Sequence, residues 1–185
     1  MVAGVFLDRD GVICANDPEH VRSWTDFHFL PGALDALALL ALSNLAVVVI
    51  TNQPAIAAGM MTVTDLSVIH AAMADAIVDA GGYLSGIYTC PHAPEDNCTC
   101  RKPKPGLIIH AARYLDIDRA QSYLVGDSTT DVEAGLAAGL RCCYLVLSGR
   151  YDGRDLSAYG DRVRAVMGLP AAVDYILAAE TRKEH

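Results

Sequence analysis

The sequence contains no run of Lys or Arg, and its formal net charge is -8. Nucleic acid and anionic membrane surfaces are therefore excluded as expected main partners. The apolar run Leu45–Ile50 falls far short of the ~20 residues that a membrane-spanning helix requires. No signal-peptide pattern separates Met1 from the first strand-like segment, so a cytoplasmic location is expected. Repeats, low-complexity segments and domain-dividing linkers are also missing. A chain of 185 residues without such breaks is expected to form one domain over residues 1–185 and to act as a monomer. What is plentiful is apolar side chain, 52% of residues, which can supply a substantial core. An acidic protein of this kind binds phosphate only where a metal and a few local cations are gathered.

Strand-like and helix-like runs alternate along the chain. Val2–Leu7, Leu45–Ile50, Gly86–Thr89, Ser122–Val125, Cys142–Leu147 and Val163–Val166 read as short, buried strands. Pro31–Leu42, Thr64–Ala80, Gly106–Leu115, Thr130–Ala138 and Pro170–Ala179 read as helices, several of them punctuated by Gly. This βαβα rhythm predicts an α/β fold with a doubly wound parallel sheet. Ligands of such sheets sit beyond the carboxyl ends of the strands. The residues that follow the strands are Asp8 and Asp10, then Thr51, Asn52 and Gln53, then Cys90 and His92, then Asp127. All belong to the same end, so one active site accounts for them.

Five segments carry the chemistry. In FLDRDGV, residues 6–12, Asp8 and Asp10 are two apart and can face one site, with Gly11 permitting a sharp turn. Close carboxylates repel unless a cation lies between them, and a hard cation such as Mg2+ suits oxygen ligands; solvated acids at a strand end are the plain alternative. VITNQ, residues 49–53, offers a hydroxyl and two amides to phosphate oxygens, although an ordinary turn would read the same. CPHAPEDNCTC, residues 90–100, packs Cys90, His92, Cys98 and Cys100 into one loop, which suits tetrahedral, structural Zn2+ better than disulfides. RKPKPG, residues 101–106, is the densest positive cluster, with Arg101, Lys102 and Lys104. In LVGDSTTDVEAG, residues 124–135, Asp127 is the better metal candidate; Asp131 suits a helix-start acid equally well.

Taken in order, these segments resemble the haloacid dehalogenase superfamily of phosphatases, from Val5 to about Gly149. Within it the chain is most similar to heptose-bisphosphate phosphatases, with histidinol-phosphate phosphatases nearly as close. Both share the DRDG start, TNQ, a CPH…CxCRKP loop and a VGD segment. The resemblance implies a Rossmannoid sheet without a large cap domain, the zinc loop shaping the pocket instead. It implies a Mg2+-dependent phosphomonoester hydrolase acting on a small sugar phosphate, a heptose 7-phosphate, through an aspartyl-phosphate; histidinol phosphate is the alternative substrate. By the same resemblance Asp8 is the nucleophile and Asp10 the general acid/base. Thr51 and Lys102 hold the phosphoryl oxygens. Asp8, the backbone carbonyl of Asp10, and Asp127 bind Mg2+. Asn52, Gln53, Arg101, Asp17 and His20 contact the rest of the substrate. Two departures fall where substrate is recognised. Residue 128 is Ser where those enzymes carry Lys, and Asn16–His20 reads NDPEH where they tend to have a Tyr and one residue fewer.

Three other classes fit less well. A phosphorylated receiver domain leaves Asp10, TNQ and the zinc loop unexplained. A nucleic-acid end-processing phosphatase conflicts with the charge of -8. A zinc-bearing interaction module leaves the aligned carboxylates without a purpose.

Overall fold

The β-branched apolar runs become strands and the Leu- and Ala-rich periodic runs become helices in the computed structural model, which describes residues 1–150 and 156–182. The strands are β1 (Gly4–Leu7), β2 (Ala46–Asn52), β3 (Gly86–Cys90), β4 (Tyr123–Gly126), β5 (Cys142–Val146) and β6 (Val163–Val166). The helices are α1 (Ala33–Ala41), α2 (Val63–Asp79), α3 (Gly106–Tyr114), α4 (Thr129–Ala137) and α5 (Leu169–Thr181). Each predicted strand and helix is present, with ends displaced by a few residues at most. The displacements follow from caps. Gly32 is the N-cap of α1, so Pro31 lies outside that helix. Thr62 Oγ1 accepts from Asp65 N (3.1 Å) while Asp65 Oδ2 accepts from Thr62 N (2.9 Å), which starts α2 one residue early.

The six strands form one sheet in the order β3-β2-β1-β4-β5-β6, and every pairing is parallel. Strand alternation sorts the core into two layers. Val5, Leu7, Val47, Val49, Val125 and Val146 face α1, α2 and α5. Phe6, Val48, Ile50, Leu124 and Leu145 face α3 and α4. No described helix is long and apolar enough to cross a membrane.

The strand order reverses direction between β1 and β4, and that reversal opens a crevice at their carboxyl ends. Asp8 stands there. Its N–H donates to Val125 O at 2.9 Å, so the backbone stays tied to β4 up to the first motif acid.

The start of α3 is sterically tight. A Cβ on Gly106 would run into the Thr99 carbonyl and lie 2.9 Å from Cys100 Cα, and backbone cannot give way as a flexible side chain can. Gly106→Ala is expected to destabilise the fold by about 1–3 kcal/mol, read as a lower midpoint in thermal or urea unfolding. An unchanged midpoint would contradict this packing.

Candidate active site

A cleft of about 330 Å³ lies over the β1 and β4 ends. Asp8 reaches it from the end of β1 and is nearly buried. Its Oδ1 accepts from Arg9 N at 2.7 Å and pairs with Lys102 Nζ at 2.9 Å. Neither contact uses Oδ2, which among the described residues has no hydrogen-bond partner. Lys102 also pairs with Asp131 Oδ1 at 2.6 Å and donates to Ile50 O at 3.1 Å. Burial by itself would strip the proton from this lysine, but Asp131 and Asp8 outweigh that and hold it protonated. Burial pushes Asp8 up to about 8. Lys102 opposes the rise, while Asp131, Asp127 and Asp10 add to it.

Asp10 has the opposite environment. Arg9 Nη2 donates to both of its oxygens, at 2.9 and 3.0 Å, and Arg9 Nε donates to Oδ1 at 3.2 Å. Gln53 Nε2 donates to Oδ2 at 2.8 Å. Burial would raise the Asp10 pKa, but the Arg9 charge and these hydrogen bonds overcome it and hold the carboxyl below its usual range. The two motif acids therefore differ, with Asp8 resisting ionisation and Asp10 favouring it. Gln53 Nε2 also donates to Thr51 Oγ1 at 2.9 Å. Thr51 is fully buried behind this amide and is not among the residues lining the cleft.

Asp127 follows β4 and closes the other side of Asp8. Its Oδ2 accepts from Asn16 Nδ2 at 2.7 Å and from Arg150 N at 2.9 Å, and burial raises its pKa. Gly11, at φ 81°, permits this approach, because a Cβ there would collide with the Asp127 carboxylate. Single oxygens of Asp8, Asp127 and Asp131 lie within 4.8 Å of one another. Three buried carboxylates against one ammonium leave net negative charge, and an all-oxygen donor set of this kind fits Mg2+. Asp131 also accepts from Ser128 Oγ at 2.6 Å through Oδ2, at the start of α4. It is both the helix-start acid expected from the sequence and a partner of Lys102.

The remaining predicted substrate contacts converge on the same cleft. Arg101, Asn52, Asp17 and His20 line it. Asn52 has a structural task as well: its Oδ1 accepts from Lys102 N and its Nδ2 donates to Lys102 O, both at 3.2 Å. Asp17 organises the NDPEH turn by accepting from Glu19 N at 2.8 Å, and His20 follows at φ 66°. Sequence reasoning missed Arg9, Asn16 and Arg150. Arg9 was hidden by its position between two acids, and Arg150 contributes a backbone N–H that any residue could supply.

The metal-ligand loop begins where β3 ends. Cys100 Sγ lies 3.3 Å from Cys90 Sγ, 3.5 Å from Cys98 Sγ and 3.3 Å from His92 Nδ1; Cys90 Sγ lies 3.6 Å from Cys98 Sγ and 3.5 Å from His92 Nδ1. A tetrahedron with Zn–S bonds of ~2.3 Å has edges of about 3.8 Å, close enough to these separations that the cluster could hold zinc. Cys90, Cys98 and Cys100 are all free thiols. The loop passes directly into the site: Arg101 N donates to Cys98 Sγ at 3.4 Å, and Arg101 Nη1 donates to His92 O at 3.2 Å.

Comparison with known proteins agrees with this geometry. Residues 99–169 match the HAD-hydrolase-like family model. The chain is 38% identical over 177 residues to the D-glycero-beta-D-manno-heptose-1,7-bisphosphate 7-phosphatase of Bordetella bronchiseptica, covering 94% of this chain and 97% of that one. It is 37% identical over 180 residues to the enzyme of the same name from Yersinia pestis, covering 93% and 95%. The crystal structure of D,D-heptose 1,7-bisphosphate phosphatase from B. bronchiseptica, complexed with magnesium and phosphate, superimposes with a TM-score of 0.87 at 36% identity, covering 96% of this chain and 99% of that one.

Protein purified without chelators is expected to contain one Zn2+ per chain by elemental analysis. Cys98→Ser should lower both zinc content and thermal stability. Metal-free protein with unchanged stability would contradict the assignment.

Proposed function

The chain belongs to the haloacid dehalogenase-like phosphatase family, and on that premise we propose that it removes the 7-phosphate of D-glycero-beta-D-manno-heptose 1,7-bisphosphate through an aspartyl-phosphate on Asp8. The observation that carries the chemistry is the contact set of Asp8: Oδ1 held by Lys102 and Arg9 N, with Oδ2 unengaged beside the cleft. The relatives' names carry the substrate. The histidinol-phosphate alternative draws no support from them.

Mg2+ bound by Asp8, Asp127 and the Asp10 backbone carbonyl would screen the repulsion between a phosphate dianion and the Asp8 carboxylate. Lys102 stays charged at the bottom of the cleft and faces the charge that builds on the phosphoryl oxygens. Thr51 accepts from Gln53 behind the cleft, so its hydroxyl would reach the same group only where bound phosphate takes the place of that amide. Asp8 Oδ2 attacks phosphorus in line as the bond to the sugar oxygen breaks, and Asp10 delivers a proton to that oxygen. Asp10 rests ionised against Arg9, so the proton arrives with substrate; a phosphate monoester, with a second pKa of ~6, can bring one. In the second half, Asp10 takes a proton from the water that attacks phosphorus. Inorganic phosphate leaves and the Asp8 carboxylate is restored.

Arg101, Asn52, Gln53, Asp17 and His20 line the rest of the cleft and would bind the sugar and its second phosphate. Ser128 supplies a hydroxyl already bonded to Asp131 and no charge of its own, so the second phosphate would draw on Arg101 and Arg150, which both line the cleft. We place the enzyme in the cytoplasm as a single-domain monomer, in keeping with its expected small-molecule substrate.

Asp8→Asn is expected to abolish Mg2+-dependent turnover while the far-ultraviolet spectrum stays unchanged; near-normal turnover in the folded variant would falsify the nucleophile assignment. On a panel of phosphate esters, the heptose bisphosphate should give the highest kcat/KM. Arg101→Ala should lower kcat/KM more for the bisphosphate than for its 7-monophosphate, because the non-reacting phosphate contributes to transition-state binding. Equal losses, or a preference for histidinol phosphate, would overturn the substrate and leave the mechanism intact.

Without metal, Asp8 has a pKa of about 8 in the folded protein against 3.8 as its ordinary value. The folded state then binds more protons than the unfolded one, so stability falls as pH rises from about 4 to about 8. Mg2+ needs the deprotonated carboxylate, so protons compete with it. Added Mg2+ should therefore raise Tm more at about pH 8 than at about pH 5. Equal increments at the two pH values would contradict the charge assignment.

A further inference from the structure

Arg9 is among the largest fully buried side chains in the molecule. Its guanidinium engages two partners. Nε and Nη2 grip Asp10, while Nη1 lies 3.2 Å from His70 Nε2. A guanidinium only donates, so His70 must be the acceptor, with its proton on Nδ1. The surroundings favour that state: burial and the Arg9 charge push the His70 pKa down to about 4.

His70 comes from α2, a helix whose other inward residues, Leu66, Ile69, Met73 and Ile77, only fill the core. Of the contacts described above, it alone connects that helix to the motif acids. The geometry explains why such a contact matters. Asp10 takes the Nε/Nη2 edge of the guanidinium, but a pair of planar groups joined on one side can pivot together. A third attachment, on Nη1, fixes the plane of Arg9 and with it the plane of the carboxylate. Without His70, a buried N–H would lose its acceptor, and the Arg9 end of the pair would be unheld, with only Gln53 on Oδ2 and the weak Cys14 thiol donor on Oδ1 still restraining Asp10.

We propose that His70 is a positioning residue for the reaction, holding the Asp10 carboxylate in its working orientation through Arg9. The proposal rests on the reading of Asp10 as general acid/base. Orientation of an acid/base group affects the chemical steps and leaves ground-state substrate binding largely alone, and misplacement by about 1 Å can cost up to ~10²-fold in rate. A histidine that merely satisfied a buried donor would affect stability and leave kcat untouched.

The test compares His70→Gln, whose amide oxygen can accept from Arg9, with His70→Met, which has similar length and no comparable acceptor. Each is assayed with p-nitrophenyl phosphate and Mg2+, alone and in an Asp10→Asn background; this substrate makes the readout independent of the sugar assignment. We expect His70→Met to lower kcat roughly tenfold with KM little changed. His70→Gln should restore most of the loss, and His70→Met should cost nothing further once Asp10 is Asn. Parental kcat in His70→Met, or a His70→Gln enzyme as slow as His70→Met, would overturn the proposal. A further loss in the Asp10→Asn background would overturn it while sparing the acid/base assignment. Parental kcat in Asp10→Asn itself would overturn that assignment and the proposal together. If His70→Met does not fold, His70→Ala takes its place with the same expected and contrary outcomes.

Discussion

The site depends on one buried ammonium. Lys102 Nζ stands 2.9 Å from Asp8 and 2.6 Å from Asp131, and it ties the end of β1 to the first turn of α4. Two unit charges about 4 Å apart attract by about 4 kcal/mol at an effective dielectric of ~20. Removing the cation would leave three buried carboxylates facing one another, which is costly unless they bind protons or metal. The same arrangement makes Asp8 hard to ionise in the absence of a divalent cation. In the proposed mechanism, metal binding and activation of Asp8 would therefore be one event at this site.

Lys102 itself is placed by its neighbours. Asn52 at the end of β2 grips its backbone from both sides, at 3.2 Å each way. On the other flank, Lys104 Nζ donates to Asn97 O and Cys98 O, and Arg101 N donates to Cys98 Sγ. A zinc ion in the Cys/His cluster would lock those sulfurs and carbonyls, and through them the segment that carries Arg101 and Lys102. Outer contacts of this kind orient a metal's ligands in many proteins; here the ligands would in turn orient Lys102. The loop offers four donors to one ion, and a zinc so enclosed would support the fold and leave no open position for catalysis.

Most of the fold was legible in the sequence because buried parallel strands write themselves as short β-branched runs. Leu45–Ile50 became β2 and Val163–Val166 became β6 without adjustment of type. The site was legible where polar residues follow such runs, as at Asp8, Asn52 and Asp127. It was less legible where a residue has two tasks. Asp131 reads as a helix-start acid and is one, yet its second oxygen anchors Lys102. Thr51 reads as a cleft residue, but Gln53 folds back over it. Arg9 and His70 escaped altogether, since nothing in a one-dimensional pattern says that an arginine between two acids turns inward or that a helix 61 positions away meets it.

The central claim is that Asp8 becomes covalently phosphorylated. A single-turnover reaction with 32P-labelled heptose bisphosphate, quenched in acid and digested, tests it most directly. The account predicts transient label on the peptide containing Asp8, released by hydroxylamine and absent from the Asp8→Asn protein. Turnover without any labelled peptide, or label on another residue, would contradict it.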